Sequence, residues 1–114
     1  MLNQIVLVGR LVRTPEIKQQ DNDKKRCNIT LAVPRSYKNA EGEYDTDFID
    51  CTLWDNTASS TVNFCNKGDI IGVKGRIQTR IVEKDDNSRE YRMDIIAEKV
   101  TFLSKAKETP DQER

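Results

Sequence analysis

The chain has 114 residues, of which 36% are hydrophobic, and its mean hydropathy is −0.73. This is the size of one ordinary domain, which excludes a two-domain enzyme, and no window approaches the roughly 20 apolar residues that cross a bilayer. Nineteen basic and nineteen acidic side chains cancel, so the net charge of the chain neither attracts nor repels a polyanion.

The charges are distributed in blocks along the chain. Residues 1–38 carry a net charge of +5 and residues 39–66 a net charge of −6, while residues 67–82 carry +3 and residues 83–103 carry −2. A fold that brings the first and third blocks together would therefore form a basic face.

The chemistry-bearing residues argue against catalysis and against a metal site. The chain has no histidine, and the three cysteines, Cys27, Cys51 and Cys65, are an odd number at wide spacing. These features fit neither a disulfide framework nor a zinc site, so we expect buried thiols, with Cys51 and Cys65 in a functional site as the alternative. Since nucleophile, phosphate-loop and metalloprotease motifs are also missing, we expect a protein that is not an enzyme and has no cofactor.

The first half of the chain is predicted to form three strands. Residues 2–13 are apolar on both parities, which is typical of a strand that is buried on both faces or bent at Gly9. Residues 27–33 and 47–54 alternate between apolar and polar side chains. In the second of these segments the inward side chains are Ile49, Cys51 and Leu53, and the outward ones are Phe48, Asp50, Thr52 and Trp54.

A short helix is predicted next, followed by two more strands. Ala58, Val62 and Cys65 recur at helical spacing between residues 56 and 68. The expected N-cap is Asn56 or Thr57, and Gly68 is the expected stop.

The strands that follow are residues 70–82 and 89–103, separated by a polar turn at 84–88. In the first, Ile71, Val73 and Ile77 lie on one face and Lys74, Arg76, Gln78 and Arg80 on the other, and its glycines indicate close packing or a bend. The resulting order, β-β-β-α-β-β, favours an all-β fold with one short helix, the five-stranded Greek-key barrel called the OB-fold. A small SH3-like barrel and an α+β sandwich stay open as alternatives.

Aromatic and basic side chains share the outward face of this predicted barrel. Phe48 and Trp54 point away from the core, and Tyr37 follows Arg35 in the polar segment after the second strand. The cations of the fourth strand, Lys74, Arg76 and Arg80, also point outward. Aromatic platforms beside cations are what single-stranded nucleic acid requires, since bases stack while phosphates are paired. The alternative is that the aromatic residues cap the core or lie in a subunit interface.

Five segments in order resemble the bacterial single-stranded DNA-binding protein family. They are NQIVLVGRLVRTPE (3–16), NITLAVPRSY (28–37), TDFIDCTLWD (46–55), NKGDIIGVKGRIQTR (66–80) and VTFL (100–103). The resemblance covers residues 1–103 and implies an OB-fold domain over that range, followed by a short polar tail at 104–114. It also implies a homo-oligomer, a tetramer or else a dimer, that wraps single strands without sequence preference.

Several positions match residues that the family uses to bind DNA. Tyr37, Phe48 and Trp54 match positions on which members stack bases, and Lys18, Lys67 and Arg80 match basic positions near the strand. With the cations named above, the expected DNA-binding residues are Lys18, Arg35, Tyr37, Phe48, Trp54, Lys67, Lys74, Arg76 and Arg80.

The chain also departs from the family pattern. Val82 stands where many members have a further stacking aromatic residue. Asp50 and Asn56 stand where members often have a basic residue. The acidic, hydrophobic tip through which members recruit repair and replication enzymes has no counterpart after Leu103, so such partners are not implied here.

The resemblance implies a cytoplasmic, nucleoid-associated protein that coats single-stranded DNA during replication, recombination and repair. Two alternatives stay open. One is a primosomal replication-restart protein with the same fold that acts mainly through protein partners, and the other is a purely structural oligomer whose aromatic residues form an interface.

Overall fold

A computed structural model describes residues 1–20 and 22–106. The elements in chain order are β1 (Ile5–Leu11), β2 (Lys18–Gln19), β3 (Lys25–Lys38), β4 (Tyr44–Trp54), α1 (Asp55–Phe64), β5 (Ile70–Glu83) and β6 (Arg89–Ser104). The predicted element order is confirmed, with the two-residue β2 as an addition. The predicted tail begins at the last residue of β6 and continues into residues 107–114, which lie outside the described residues.

Five long strands close into a barrel. The hydrogen-bonded order is β1-β5-β6-β4-β3, and β1 pairs with β3 at Arg10 and Leu11 to complete the ring. The pairings are antiparallel except for β4 with β6, which meet in parallel at Thr52 and Ile96. This is the strand order of an OB-fold, so the predicted fold is confirmed.

The core consists of the inward side chains of the strands and the helix. It comprises Leu11, Cys27, Ile29, Leu31, Cys51, Leu53, Ala58, Cys65, Ile71, Val73 and Ala97. The alternation predicted for β4 is confirmed, since Cys51 and Leu53 are buried and Phe48 and Asp50 are exposed. The neighbouring strands β3 and β4 therefore present a continuous outward face on which a ligand can lie.

The helix begins and ends earlier than predicted. Its N-cap is Trp54, which makes no side-chain cap, and Asp55 enters the helix at a φ of 50°. The predicted caps, Asn56 and Thr57, lie inside the helix. The helix ends at Phe64 because the following residues form a separate turn held by Asp69, in which Gly68 adopts a φ of 92°.

β5 and β6 extend beyond the barrel as a long hairpin. For this reason Ile77, predicted to lie inward with Ile71 and Val73, is 37% exposed and does not belong to the core. The predicted turn is confirmed, since the Lys84 N–H donates to the Ser88 carbonyl and Asn87 has a φ of 68°.

β1 is buried on one face only. Gly9 approaches the backbone carbonyl of Ala32, where the strand passes from β5 to β3. The expectation of burial on both faces is wrong for the single chain, because Val6 and Val8 are 64% and 52% exposed. Among the described residues, no helix is long and apolar enough to cross a membrane.

Candidate nucleic-acid interface

The outward face of β3 and β4 is a ladder of cross-strand pairs. The antiparallel register pairs Arg26 with Trp54, Asn28 with Thr52, Thr30 with Asp50, and Ala32 with Phe48. Residues directly opposite each other in such a register point to the same face of the sheet. Phe48 and Trp54 therefore share this face and lie about 20 Å apart along the strand.

A cleft of about 650 Å³ lies over one end of this ladder. Its lining is largely polar and comprises Arg13, Arg26, Asn28, Thr30, Asp50, Cys51, Thr52, Trp54, Gln78, Arg80, Asp94 and Ile96. The walls come from β3, β4 and the β5–β6 hairpin, together with the segment after β1. We call this depression the arginine cleft, since three arginines line it.

Trp54 is held at the junction of β4 and α1. The carboxylate of the next residue, Asp55, accepts the backbone N–H of Lys25 at 3.2 Å, which ties the start of the helix to β3. The indole is half-buried, so part of its surface is open to the cleft. A partly exposed, positioned aromatic ring is suited to stacking against a base.

Two of the cleft arginines are held by neighbouring side chains. Arg80 Nε donates to Asp94 Oδ2 at 2.7 Å. Arg13 Nη2 donates to the Thr30 hydroxyl at 2.8 Å, and this hydroxyl donates to Asp50 at 2.6 Å. The cleft thus combines cations with two carboxylates, Asp50 and Asp94, so its net charge is lower than its number of arginines suggests.

The predicted basic face forms in part. Arg13 and Arg26 come from the first basic block and Arg80 from the third, and they meet in the arginine cleft. Lys18 lines a hollow that shares Arg13 and Asn28 with the cleft, so it continues the same surface.

Tyr37 and Arg35 lie on the distal half of β3, outside the cleft lining. Tyr37 is 63% exposed and Phe48 68% exposed, so both rings are accessible. The Arg35 guanidinium lies 2.9 Å from Asp47 and 3.7 Å from Asp45. The hydrogen bond from Arg35 lowers the pKa of Asp47, so Arg35 is already paired with acids of its own strand pair.

Three predicted cations lie away from the cleft lining. Lys74 is flanked by Val6 on β1 and Lys99 on β6, beside the exposed apolar face of β1. Arg76 is half-buried and donates to Glu98 at 3.0 Å. Lys67 is exposed in the loop after α1, where its backbone N–H donates to Thr14. The structure brings Lys18, Trp54 and Arg80 together around the cleft, but not these three.

A sequence profile of the single-strand binding protein family matches residues 2–103. The chain belongs to this family. It is 43% identical over 103 residues to single-stranded DNA-binding protein B of Bacillus subtilis, which covers 90% of this chain and 91% of that protein.

Two other relatives carry the same protein name. The chain is 40% identical over 108 residues to single-stranded DNA-binding protein 1 of Clostridium acetobutylicum, which covers 94% of this chain and 98% of that protein. It is 45% identical to single-stranded DNA-binding protein 3 of Listeria innocua over 90% of this chain, but this match spans only 64% of the Listeria protein.

The departures from the family pattern have structural consequences. Val82 is half-buried on β5, and the exposed aromatic residue closest to it in the hairpin, Tyr91, pairs with Ile81 on the opposite face. Tyr91 therefore does not replace the missing platform. Asp50 points outward as predicted and adds a negative charge to the cleft.

Sequence reasoning missed Arg13, Arg26 and Asp94. Arg26 precedes the alternating run at 27–33, and Arg13 follows the first strand, so neither has a periodic neighbour that marks it. The common signal of the two arginines was membership of the first basic block, to which Asp94 does not belong. Only the register between strands and the path of the chain after β1 place them beside Trp54.

The cysteines behave as structural thiols. All three are buried and free, and burial raises the pKa of each thiol, that of Cys51 to about 11, with the charge of Asp50 as a second cause. Over residues 1–20 and 22–106, no group of three or more cysteine, aspartate or glutamate side chains is arranged to hold a metal ion. Cys51 contributes to the floor of the arginine cleft but is 1% exposed.

Proposed function

We propose that this chain binds single-stranded DNA without sequence preference along the outward face of β3 and β4. The observation that carries the proposal is the position of Trp54, whose indole opens into a cleft with three arginines. Stacking accepts every base, because each base offers a π-face, and cations beside the ring can pair with the phosphates. Names of relatives at 40–45% identity support the same ligand.

The DNA path that we propose continues beyond the cleft in both directions. Phe48 and Tyr37 would extend the stacking surface along β4 and β3, and Lys18 and Arg80 would contact the backbone. Arg35 would contribute less because Asp45 and Asp47 hold it. Lys67, Lys74 and Arg76 are weaker candidates because they lie outside the cleft lining.

The biological role follows from binding rather than catalysis. A protein that coats exposed single strands in the cytoplasm protects them during replication, recombination and repair, and this is the role that we propose. We propose a single OB-fold domain over residues 1–103.

We further propose that the chain works as a homo-oligomer, a tetramer or a dimer. The outward side chains of β1, Val6 and Val8, are apolar and exposed. In addition, β1 pairs with β3 only at Arg10 and Leu11, so the first part of the strand has one free edge. A free edge with an apolar face is suited to association with a second copy.

Titration of the intrinsic fluorescence with oligo(dT) tests the binding function. Trp54 is the one tryptophan of the chain, so a base stacked on it should quench the signal strongly. In an anisotropy assay with labelled oligo(dT), Phe48→Ala should weaken binding roughly tenfold, the effect of one stacked base. Tyr91→Ala, on the other face of the hairpin, should bind as tightly as the wild type. A folded protein without quenching would contradict the proposal and favour a replication-restart protein that acts through protein partners.

A further inference from the structure

Three side chains form a row across the neighbouring strands β2, β3 and β4. The register pairs Lys18 with Arg26 and Arg26 with Trp54, so these residues lie on one line perpendicular to the strands. Adjacent strands are about 4.8 Å apart, which makes the row about 10 Å wide. Arg26 stands at its centre, next to the ring on one side and the second cation on the other.

Arg26 differs from the other arginines of the cleft. Its Nε atom is shielded from solvent and, among the described residues, has no hydrogen-bond partner. No carboxylate in this part of the chain forms an ion pair with it, whereas Arg80 is paired with Asp94 and Arg13 is linked through Thr30 to Asp50. The buried donor is costly to the fold, and the guanidinium brings to the cleft a charge that no described carboxylate pairs.

A phosphate bound in the cleft would pair with the Nη donors of Arg26, since Arg26 lines the cleft while its Nε atom is shielded. A guanidinium presents its donors in a planar fork that matches the oxygens of a phosphate. The carboxylates that line the cleft, Asp50 and Asp94, already accept bonds from Thr30 and Arg80, which leaves the Arg26 guanidinium available. An indole at the cross-strand position is close enough to stack with the base of the same nucleotide.

We propose that Arg26 and Trp54 together bind one nucleotide, with the guanidinium on its phosphate and the indole on its base. Lys18, the third member of the row, would contact the adjacent phosphate. The inference rests on the proposed binding of single-stranded DNA and adds an anchor to it. It also places the two phosphates at β2 and β3 and the base at β4 at this point of the path.

The substitution Arg26→Met tests the anchor, with binding followed by the anisotropy of labelled oligo(dT) over a range of salt. Loss of one phosphate contact should weaken binding about tenfold at low salt and make the slope of log affinity against log salt less steep by about 0.7. Because the shielded Nε atom is removed, the thermal midpoint of Arg26→Met should be unchanged or higher. Lys105→Gln removes one charge from a different surface and should change neither the affinity nor the salt slope.

The double variant with Trp54→Ala tests whether both residues hold the same nucleotide. Its loss of affinity should be smaller than the product of the two single losses. If one substitution already releases the nucleotide, the second has little binding left to remove. If Arg26→Met unfolds the chain, Arg26→Lys takes its place and should keep the salt slope while weakening binding.

The anchor would be overturned if Arg26→Met kept the affinity and the salt slope of the wild type. It would also be overturned if the losses of affinity in the double variant were the product of the single losses. In that case quenching of Trp54 in the wild type would still support the proposed function. Failure of the wild type to bind oligo(dT) would instead refute the function itself.

Discussion

Asp69 is a buried carboxylate that joins the loop after α1 to the segment after β6, at the end of the barrel opposite the long hairpin. Its oxygens accept the backbone N–H groups of Asn66 at 2.8 Å and Ala106 at 2.7 Å, and the Lys105 ammonium lies 3.6 Å away. Burial by itself raises the pKa of Asp69, but these donors outweigh it, so the pKa is lowered below its usual 3.8. The charged form therefore stabilises the fold.

The substitution Asp69→Asn should lower the free energy of unfolding by about 2 kcal/mol at pH 7, the usual cost of losing hydrogen bonds to a charged group. Since the pKa is lower in the folded state, this contribution is present above the unfolded pKa and is lost as the pH falls through the folded value. The difference between variant and wild type should thus shrink below pH 3.8. Urea unfolding at pH 7 and pH 3 measures it, and an equal difference at both would contradict the assignment.

Individual site residues were predictable where a period marks them. Phe48 and Trp54 alternate with the buried Cys51 and Leu53, so their outward direction follows from the sequence. The acidic partners of the cations could not be predicted from the sequence. Cross-strand register places Asp47 beside Arg35 and Asp94 beside Arg80. The sequence marked Arg80 as a site residue but not the acid that holds it.

β5 contains two glycines whose roles differ. Gly75 lies beside a bulge, where β6 carries the extra residue Glu98 between the partners of Lys74 and Gly75. A Cβ atom at Gly75 would overlap the backbone carbonyl of Ile96. At Gly72 the nearest atom would be Leu103 Cδ1 at 3.7 Å, an ordinary contact. Sequence reasoning marked both glycines as sites of close packing or a bend, and the close approach is found at Gly75 alone.

The substitutions Gly75→Ala and Gly72→Ala should therefore differ in their effect on the free energy of unfolding. The first should lower the free energy of unfolding by more than about 3 kcal/mol, because backbone must shift to admit the methyl group. The second should change it by less than about 1 kcal/mol. Urea denaturation of both variants checks the prediction, and similar stabilities would mean that the bulge relaxes easily.

The elements themselves followed from periodicity, but the start of α1 and the projection of the hairpin beyond the barrel did not. The strands and the helix have the predicted order because apolar side chains recur at the periods of two and 3.6. The start of α1 was missed because Asp55 is anchored through Lys25, a contact across 30 positions of the chain. The projection of the hairpin beyond the barrel was missed because Ile77 has the inward parity of a core residue but is exposed.

At the scale of the whole molecule, the exposed face of β1 predicts association. Val8→Asp places a charge in the middle of that face and should shift an oligomer toward the 13.1 kDa monomer. Phe48→Ala, which removes an exposed apolar side chain from the proposed DNA-binding face, should leave the assembly intact. Sedimentation at micromolar concentration measures both, and a wild-type monomer would contradict the proposal.

The charge distribution of the molecule sets the balance between stacking and phosphate pairing. Basic blocks meet at the arginine cleft, but Asp50 and Asp94 lie there too, and Asp45 and Asp47 hold Arg35. Two of the cations expected to contact the strand, Arg35 and Arg80, are therefore already paired with carboxylates. Stacking on Tyr37, Phe48 and Trp54 would then supply much of the affinity.

The salt dependence of oligo(dT) binding tests this central claim most directly. Each phosphate neutralised on a single strand contributes about −0.7 to the slope of log affinity against log salt. Measured from about 50 to 500 mM salt, the slope should be shallow, about −2 to −3 for three or four phosphates. Asp50→Lys should raise the affinity and steepen the slope, while Arg80→Ala should lower the affinity and flatten it. A wild-type slope near −7, that of a protein pairing about ten phosphates, would contradict the account and place the DNA away from the carboxylates of the cleft.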